Sequence, residues 1–223
     1  MMRLLRYELA HYGRHSGATG LCLACYLMLV FIMGYATQHH HITADIKTTL
    51  DPVLAFQWMA MSIAAFLGFE RIWLDDARDH ILTQQKLSPH GLSFFIVLKT
   101  IGFWIGVFLP LLLVYAVQYA LTMPLDGIGI LLAMLPFALA SVALCLLLVL
   151  ASALALGSRN GMLIVFLVMV PLMLPVLTFG LGAHIALNTQ QSPAPSLSLL
   201  AAYTLFNLVL VPAAVHYMLR QHR

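Results

Sequence analysis

The chain has 223 residues, 62% of them hydrophobic and only 9% charged, against about 25% charged in an ordinary soluble domain. So few charges exclude a soluble sphere, whose surface they would not cover, and suit a chain whose solvent is lipid. The net charge of +3 is not a nucleic-acid footprint either, because membrane topology accounts for where the basic residues stand.

Six apolar segments of roughly 20 residues, each able to cross about 30 Å of hydrocarbon, fill most of the chain, so a single membrane domain over 1–223 is expected. Residues 1–16 come first. On a helical wheel Met1, Met2, Leu5, Leu9 and Tyr12 gather on one side, Arg3, Arg6 and Ala10 oppose them, and Glu8 stands at the border. That pattern predicts an amphipathic helix lying in the headgroup plane rather than crossing it; a disordered polar leader is the alternative.

The first span is expected over 18–36. The polar stretch ahead of it, and the lack of a small-x-small pattern closing it before Gln38, argue against a cleaved signal peptide. Cys22 and Cys25 form a CxxC within it, one helical turn apart, and like Cys145 they are expected to behave as small hydrophobes. His39, His40 and His41 follow in the first loop. They read as a polar cap between spans, although histidine clusters also ligate metal or haem iron.

Further spans are expected over 50–69, 98–121, 128–156, 162–183 and 197–219. Lys99, at the start of the third, is expected to snorkel to the cytoplasmic surface. Trp58, Trp73, Trp104 and the tyrosines near span ends fit interfacial anchoring. Pro136, Pro171, Pro175 and Pro212 fall inside spans, where proline removes a backbone donor and bends the helix. Pro171 and Pro175 are four apart, so the fifth span should be kinked or broken. Gln118 and Asn207 are expected to hydrogen-bond between helices. His184 follows the fifth span, and the loop 188–196 reads as a connector.

Apart from Lys47, every lysine and arginine falls on one set of sides. Arg3, Arg6 and Arg14 precede the first span; Arg71, Arg78, Lys86 and Lys99 lie between the second and third; Arg159 separates the fourth and fifth; Arg220 and Arg223 follow the sixth. The positive-inside rule makes both termini and loops two and four cytoplasmic, in a bacterium the inner-membrane arrangement. Every acidic residue (Glu8, Asp45, Asp51, Glu70, Asp75, Asp76, Asp79 and Asp126) is expected at or beyond a span end. Ion-coupled transporters keep charges within their spans, at about 2.5–3.5 kcal/mol each on insertion scales. None is expected here, so energy, if used, must come from elsewhere.

Loop two, 70–90, departs from otherwise minimal loops and carries Glu70, Asp75, Asp76 and Asp79, half of the chain's 8 acidic residues. Its pattern is helical: Trp73, Leu74, Ala77 and Ile81 share one face, and Asp75, Asp76, Asp79, Thr83 and Lys86 share the other. Asp75 and Arg78 are spaced for an i,i+3 pair of about 0.2–0.5 kcal/mol, and Ser88-Pro89 ends the run. A short helix along the cytoplasmic membrane face, its acidic surface turned to water or a partner, is expected. Composition alone leaves a solvated linker open as well.

The run Glu70-Arg71 … Asp75-Asp76 … Asp79 … Leu82 … Gln84 … Leu87-Ser88-Pro89 resembles the cytoplasmic loop of the haem exporter protein B family. That loop reads approximately E-R-L-F-x-E-D-x-x-D-G-x-L-E-Q-L-L-L-S-P, and the two align without a gap. Gly157-Ser-Arg159-Asn-Gly161, followed after nine residues by Pro171-Leu-Met-Leu-Pro175-Val-Leu-Thr-Phe179, resembles the family's G-L-R-R-G-G … L-P-L-x-I-P-L-L-I-F. The leader Arg6-Tyr-Glu8-Leu … Arg14-His-Ser16 is similar too. His80 in place of glycine, Thr83 in place of glutamate and Gln85-Lys86 in place of two leucines mark a divergent member.

The resemblance implies an all-α, ABC-2-type permease-like fold of six spans with cytoplasmic termini. It further implies the membrane subunit of the ABC transporter for cytochrome c maturation, a non-catalytic chain whose ATP is hydrolysed by a separate cytoplasmic subunit. The absence of a P-loop or a dinucleotide glycine pattern agrees with this. Loop two is then a coupling helix, with Glu70, Arg71, Asp75, Asp76, Arg78, Asp79, Leu82, Gln84, Leu87, Ser88 and Pro89 at the ATPase interface. Gly157, Arg159, Gly161, Pro171 and Pro175 mark a moving wall around the fifth span. Implied partners are the ATP-binding subunit, other membrane subunits and a periplasmic haem chaperone. Haem is a possible cargo, and no cofactor, metal or nucleic acid is expected on this chain itself.

Two other classes stay open. An intramembrane enzyme needs paired carboxylates, a histidine cluster or a serine dyad facing one cavity; Asp75, Asp76 and Asp79 mimic a metal-bound acidic motif, but their interleaved arginines argue against it. The other is a membrane assembly factor with no energy coupling.

Overall fold

The computed structural model describes residues 16–39, 52–67, 69, 71–78, 81, 91–122, 127–156, 161–189 and 191–221, nearly all of them helical. Away from water a backbone must satisfy its own N–H and C=O groups, and a helix does so within one segment. The apolar runs therefore become rods. They are α1 (Ser16–His39), α2 (Pro52–Phe66), the short α3 (Arg71–Arg78) and α4 (Gly91–Phe103). One π-helical turn, Trp104–Phe108, joins α4 to α5 (Leu109–Thr122). Then come α6 (Gly127–Leu156), α7 (Gly161–Asn188) and α8 (Ala194–Gln221).

Four stretches are long and apolar enough to cross a bilayer: Gly91–Ala120, Gly129–Leu156, Ile164–Asn188 and Ala194–Gln221; the shorter apolar helices Thr19–Met33 and Val53–Phe66 accompany them. This is the build of a multi-pass membrane protein. In α6 72% of the spanning window is buried against 28–39% in the other three, so α6 is the central rod. Ala140, Ala143, Ala151 and Ser152 lie on it fully buried, and such small residues let neighbouring helices approach closely. Phe31, Leu167 and Val209 point outward, where lipid rather than water is the fitting solvent.

Several expectations change. The third apolar helix begins at Gly91, not near 98, so Lys99 stands two turns inside it rather than at its mouth. Gly91 adopts φ +72°, a left-handed conformation open to glycine, and the helix starts from that turn just beyond Pro89. The fifth apolar helix runs on to Asn188, placing His184 within it rather than after it. It also passes unbroken through Pro171 and Pro175. Membrane helices tolerate proline, and the same stretch is tied to α8, whose Tyr203 hydroxyl donates to the Leu172 carbonyl at 2.7 Å. The interfacial helix expected over 1–16 lies, Ser16 apart, outside the described residues, as do His40, His41 and Lys47.

Candidate functional site

Phe69 leads into α3 through a bond from the Ile72 amide to its carbonyl at 3.2 Å. The inward face of α3 is made by Ile72, Trp73 and Asp76, all below 5% exposed, with Leu74, Ala77 and Ile81 half-buried beside them. The helical period read from the sequence holds, but the helix is turned by about one residue.

That turn carries Asp76 to the inside, contrary to its expected place on the outer acidic surface. Its Oδ2 accepts from Lys99 Nζ. Lys99 is only 2% exposed, so it does not snorkel to water; its Nζ stands 5.8 Å from the ring centroids of both Trp73 and Phe95. A charge pair therefore does lie in the protein interior. The physical reason is mutual: each charge is sheltered from water and needs the other, and the aromatic faces favour the ammonium. Desolvation consumes most of the attraction in such a pair, yet removing one partner costs about 3–5 kcal/mol because the other is left buried and uncompensated.

Trp73 holds the same helix to a second rod. Its amide donates to Ser152 Oγ at 3.3 Å and its indole Nε1 to the Val149 carbonyl at 3.1 Å, both on α6. Fully buried, it is not an interfacial anchor. Neither is Trp58, 1% exposed, nor Trp104, whose Nε1 donates to Ser141 Oγ at 3.0 Å. Indole N–H groups find interior acceptors at Trp73 and Trp104, whereas Trp58 Nε1 has no hydrogen-bond partner among the described residues.

Of the other residues singled out in the loop, Arg71, Asp75 and Arg78 belong to α3. Glu70, Asp79, His80, Leu82, Thr83, Gln84, Gln85, Lys86, Leu87, Ser88 and Pro89 lie outside the described residues, as do Gly157 and Arg159. Gly161 opens α7; Pro171 is exposed and Pro175 half-buried on it. Lys99 and Ser152 were not among the residues picked out for function. The available signals were a lone cation in an apolar run and one of two serines in the fourth span.

At the opposite end of the bundle His184 is fully buried. Its Nε2 lies 3.4 Å from the Tyr115 hydroxyl, and Tyr119 donates to Asn188 Oδ1 at 3.4 Å. Tyr115 stacks on Phe137 at 3.8 Å, and Trp58 lies 4.2 Å from the same ring. His184 is thus an interior residue of an aromatic box, not a loop cap. Among the described residues no three His, Cys, Asp or Glu side chains converge to hold a metal ion. Tyr26 donates to Gln118 Oε1 at 3.4 Å, a bond from α1 to α5 as expected. Asn207 instead donates to the Tyr203 carbonyl within α8.

A third feature is an apolar groove of about 440 Å³ lined by Ser62, Phe66, Phe69, Phe166, Val170 and Met173. Phe66 and Phe166 stack across it, 5.3 Å apart and 13° from parallel. Of the three features only α3 joins polar, charged and aromatic contacts to two separate long helices.

The sequence model of the CcmB protein family matches residues 1–222. The chain belongs to the CcmB family. It is similar to heme exporter protein B of Pseudomonas aeruginosa, 33% identical over 172 residues that make up 77% of this chain and 76% of that protein. It is also similar to heme exporter protein B of Paracoccus denitrificans, 28% identical over 220 residues, 99% of this chain and 98% of that one. The protein of that name from Rhodobacter capsulatus is 28% identical over 217 residues, 96% of this chain and 95% of that one. The CcmB match runs the whole length of the fold, so α3, Lys99 and Ser152 all lie inside the family domain rather than in an appended segment.

Proposed function

We propose that this chain is the six-span, permease-like membrane subunit of an ABC-type complex in a bacterial inner membrane, serving haem handling in c-type cytochrome maturation. Its termini face the cytoplasm, and loop two with α3 is the coupling helix. A separate cytoplasmic subunit binds and hydrolyses ATP; other membrane subunits and a periplasmic haem chaperone complete the assembly. The names of the relatives support the haem assignment, and the absence of a P-loop from the sequence supports placing hydrolysis elsewhere.

The observation that carries the reading is the attachment of α3. A loop that only spans a gap needs no buried contacts, whereas this one sets Trp73 against α6 and Asp76 against α4. Coupling requires an element whose position both sites can bias. A short helix in a loop that the charge pattern assigns to the cytoplasmic side, fixed through Trp73 and Asp76 to two long helices, meets that requirement.

The test is gentle purification of the full chain from its native membrane, followed by identification of every co-eluting subunit. An ATP-binding protein in stable ratio with this chain is expected. Purification of an intact chain without one, under conditions that keep other membrane complexes whole, overturns the reading.

A further inference from the structure

We infer that the Asp76–Lys99 pair is the mechanical link by which movement of α3 reaches the third apolar helix, and that the π-helical turn Trp104–Phe108 is where that helix yields. The inference rests on the proposed coupling role of α3 and adds to it the residues that transmit.

Three observations carry it. The pair connects side chains 23 residues apart, on α3 and on α4, with both ends buried. Its worth as a source of net stability is small, because an apolar pair of similar volume holds two helices as well or better. What a buried pair supplies instead is register: α3 fits only with Asp76 facing α4, and it does not roll or slide without stranding a charge. α3 and α4 must therefore move together or separate completely.

The second observation lies beyond the pair. Five residues past Lys99 the helix widens into a π turn at Trp104–Phe108 before resuming as α5. Single π turns within α-helices are weak points in the hydrogen-bond ladder and recur at functional sites, where they also allow bending. The third is that Trp73 fixes α3 to Val149 and Ser152 of α6, the central rod. Pulled through Lys99 and pivoting at Trp73, α4 has α6 as its fulcrum and the π turn as its joint. Asp76, Lys99 and Trp73 are positioning residues in this scheme; none of them need touch cargo.

The experiment uses the complete membrane complex. Three quantities are read for each variant: the ATP-binding subunit co-purified, the ATP hydrolysis rate, and the cellular yield of mature c-type cytochrome. The double variant Asp76→Leu/Lys99→Met, which keeps packing and removes charge, is expected to retain the subunit and its hydrolysis within about threefold while cytochrome yield per ATP falls at least tenfold. Lys99→Arg, which keeps the charge, is expected to stay within threefold in all three. Should the double variant fail to assemble, Asp76→Asn/Lys99→Gln, which also removes both charges but keeps a polar pair, is read in its place. Full yield in the uncharged variant, or equal loss in Lys99→Arg, overturns the link. Absence of any ATP-binding subunit from the wild-type complex instead removes the coupling role on which the link rests, and the first readout distinguishes the two failures.

Discussion

The indole of Trp58 occupies the space that a side chain at position 180 would need: a Cβ placed on Gly180 stands 2.4 Å from Cη2 and 2.5 Å from Cζ3 of that ring. Gly180 belongs to α7 and Trp58 to α2, so this glycine sets how closely the first pair of helices approaches the rest of the bundle. Because Trp58 also packs on Phe137 of α6, it has little room to withdraw.

Gly180→Ala is therefore expected to destabilise the protein by about 1–3 kcal/mol, the usual cost of overpacking a close contact. Reversible unfolding in detergent, followed by tryptophan fluorescence, measures it. Trp58→Phe in the same background should recover part of the loss. Wild-type stability in the single variant means that α2 and α7 are further apart than described.

Removing one partner of the buried pair should be worse than removing both. Lys99→Met alone leaves Asp76 buried without its counter-charge and is expected to cost about 3–5 kcal/mol, whereas Asp76→Leu/Lys99→Met should lie within about 1–2 kcal/mol of wild type. Thermal melts of the three proteins side by side decide this. Equal melting of single and double variants contradicts a buried, mutually compensating pair.

Trp73→Phe keeps the buried ring and deletes the indole donor to Val149. A net loss of about 0.5–1.5 kcal/mol follows for one hydrogen bond, and the cost should vanish in amide exchange measurements taken away from α3 and the end of α6. Protection lost uniformly across the bundle counts against a local tie.

Much of the architecture is legible in the sequence because lipid imposes it. Apolar runs of fixed length become helices, and the period of Trp73, Ala77 and Ile81 gives a loop helix with an apolar side. What periodicity does not carry is phase against a partner 23 residues away. Asp76 sits on the wheel among Asp75 and Asp79 and reads as surface; only the presence of Lys99 within reach turns it inward. Lys99 in turn reads as a snorkelling residue because a charge is naturally taken to mark a span's end, yet the apolar run Leu92–Leu98 ahead of it is helix too. His184 is misplaced for the converse reason. Its polarity suggests a loop, but Tyr115, Tyr119 and Phe137 enclose it, and α7 continues for one more turn.

Whether loop two grips a cytoplasmic ATP-binding subunit, as proposed, is decided by site-specific photocross-linking in intact cells. A cross-linking residue replaces Asp75 or Asp79 in one set of proteins and Thr48, in the first loop, in another. Cross-links to an ATP-binding protein are expected from 75 and 79 and not from 48, and Asp75→Lys/Asp79→Lys should release that protein while the membrane fold keeps its melting temperature. Cross-links to such a protein from Thr48 alone, or unchanged retention of it after both charge reversals, contradict the account.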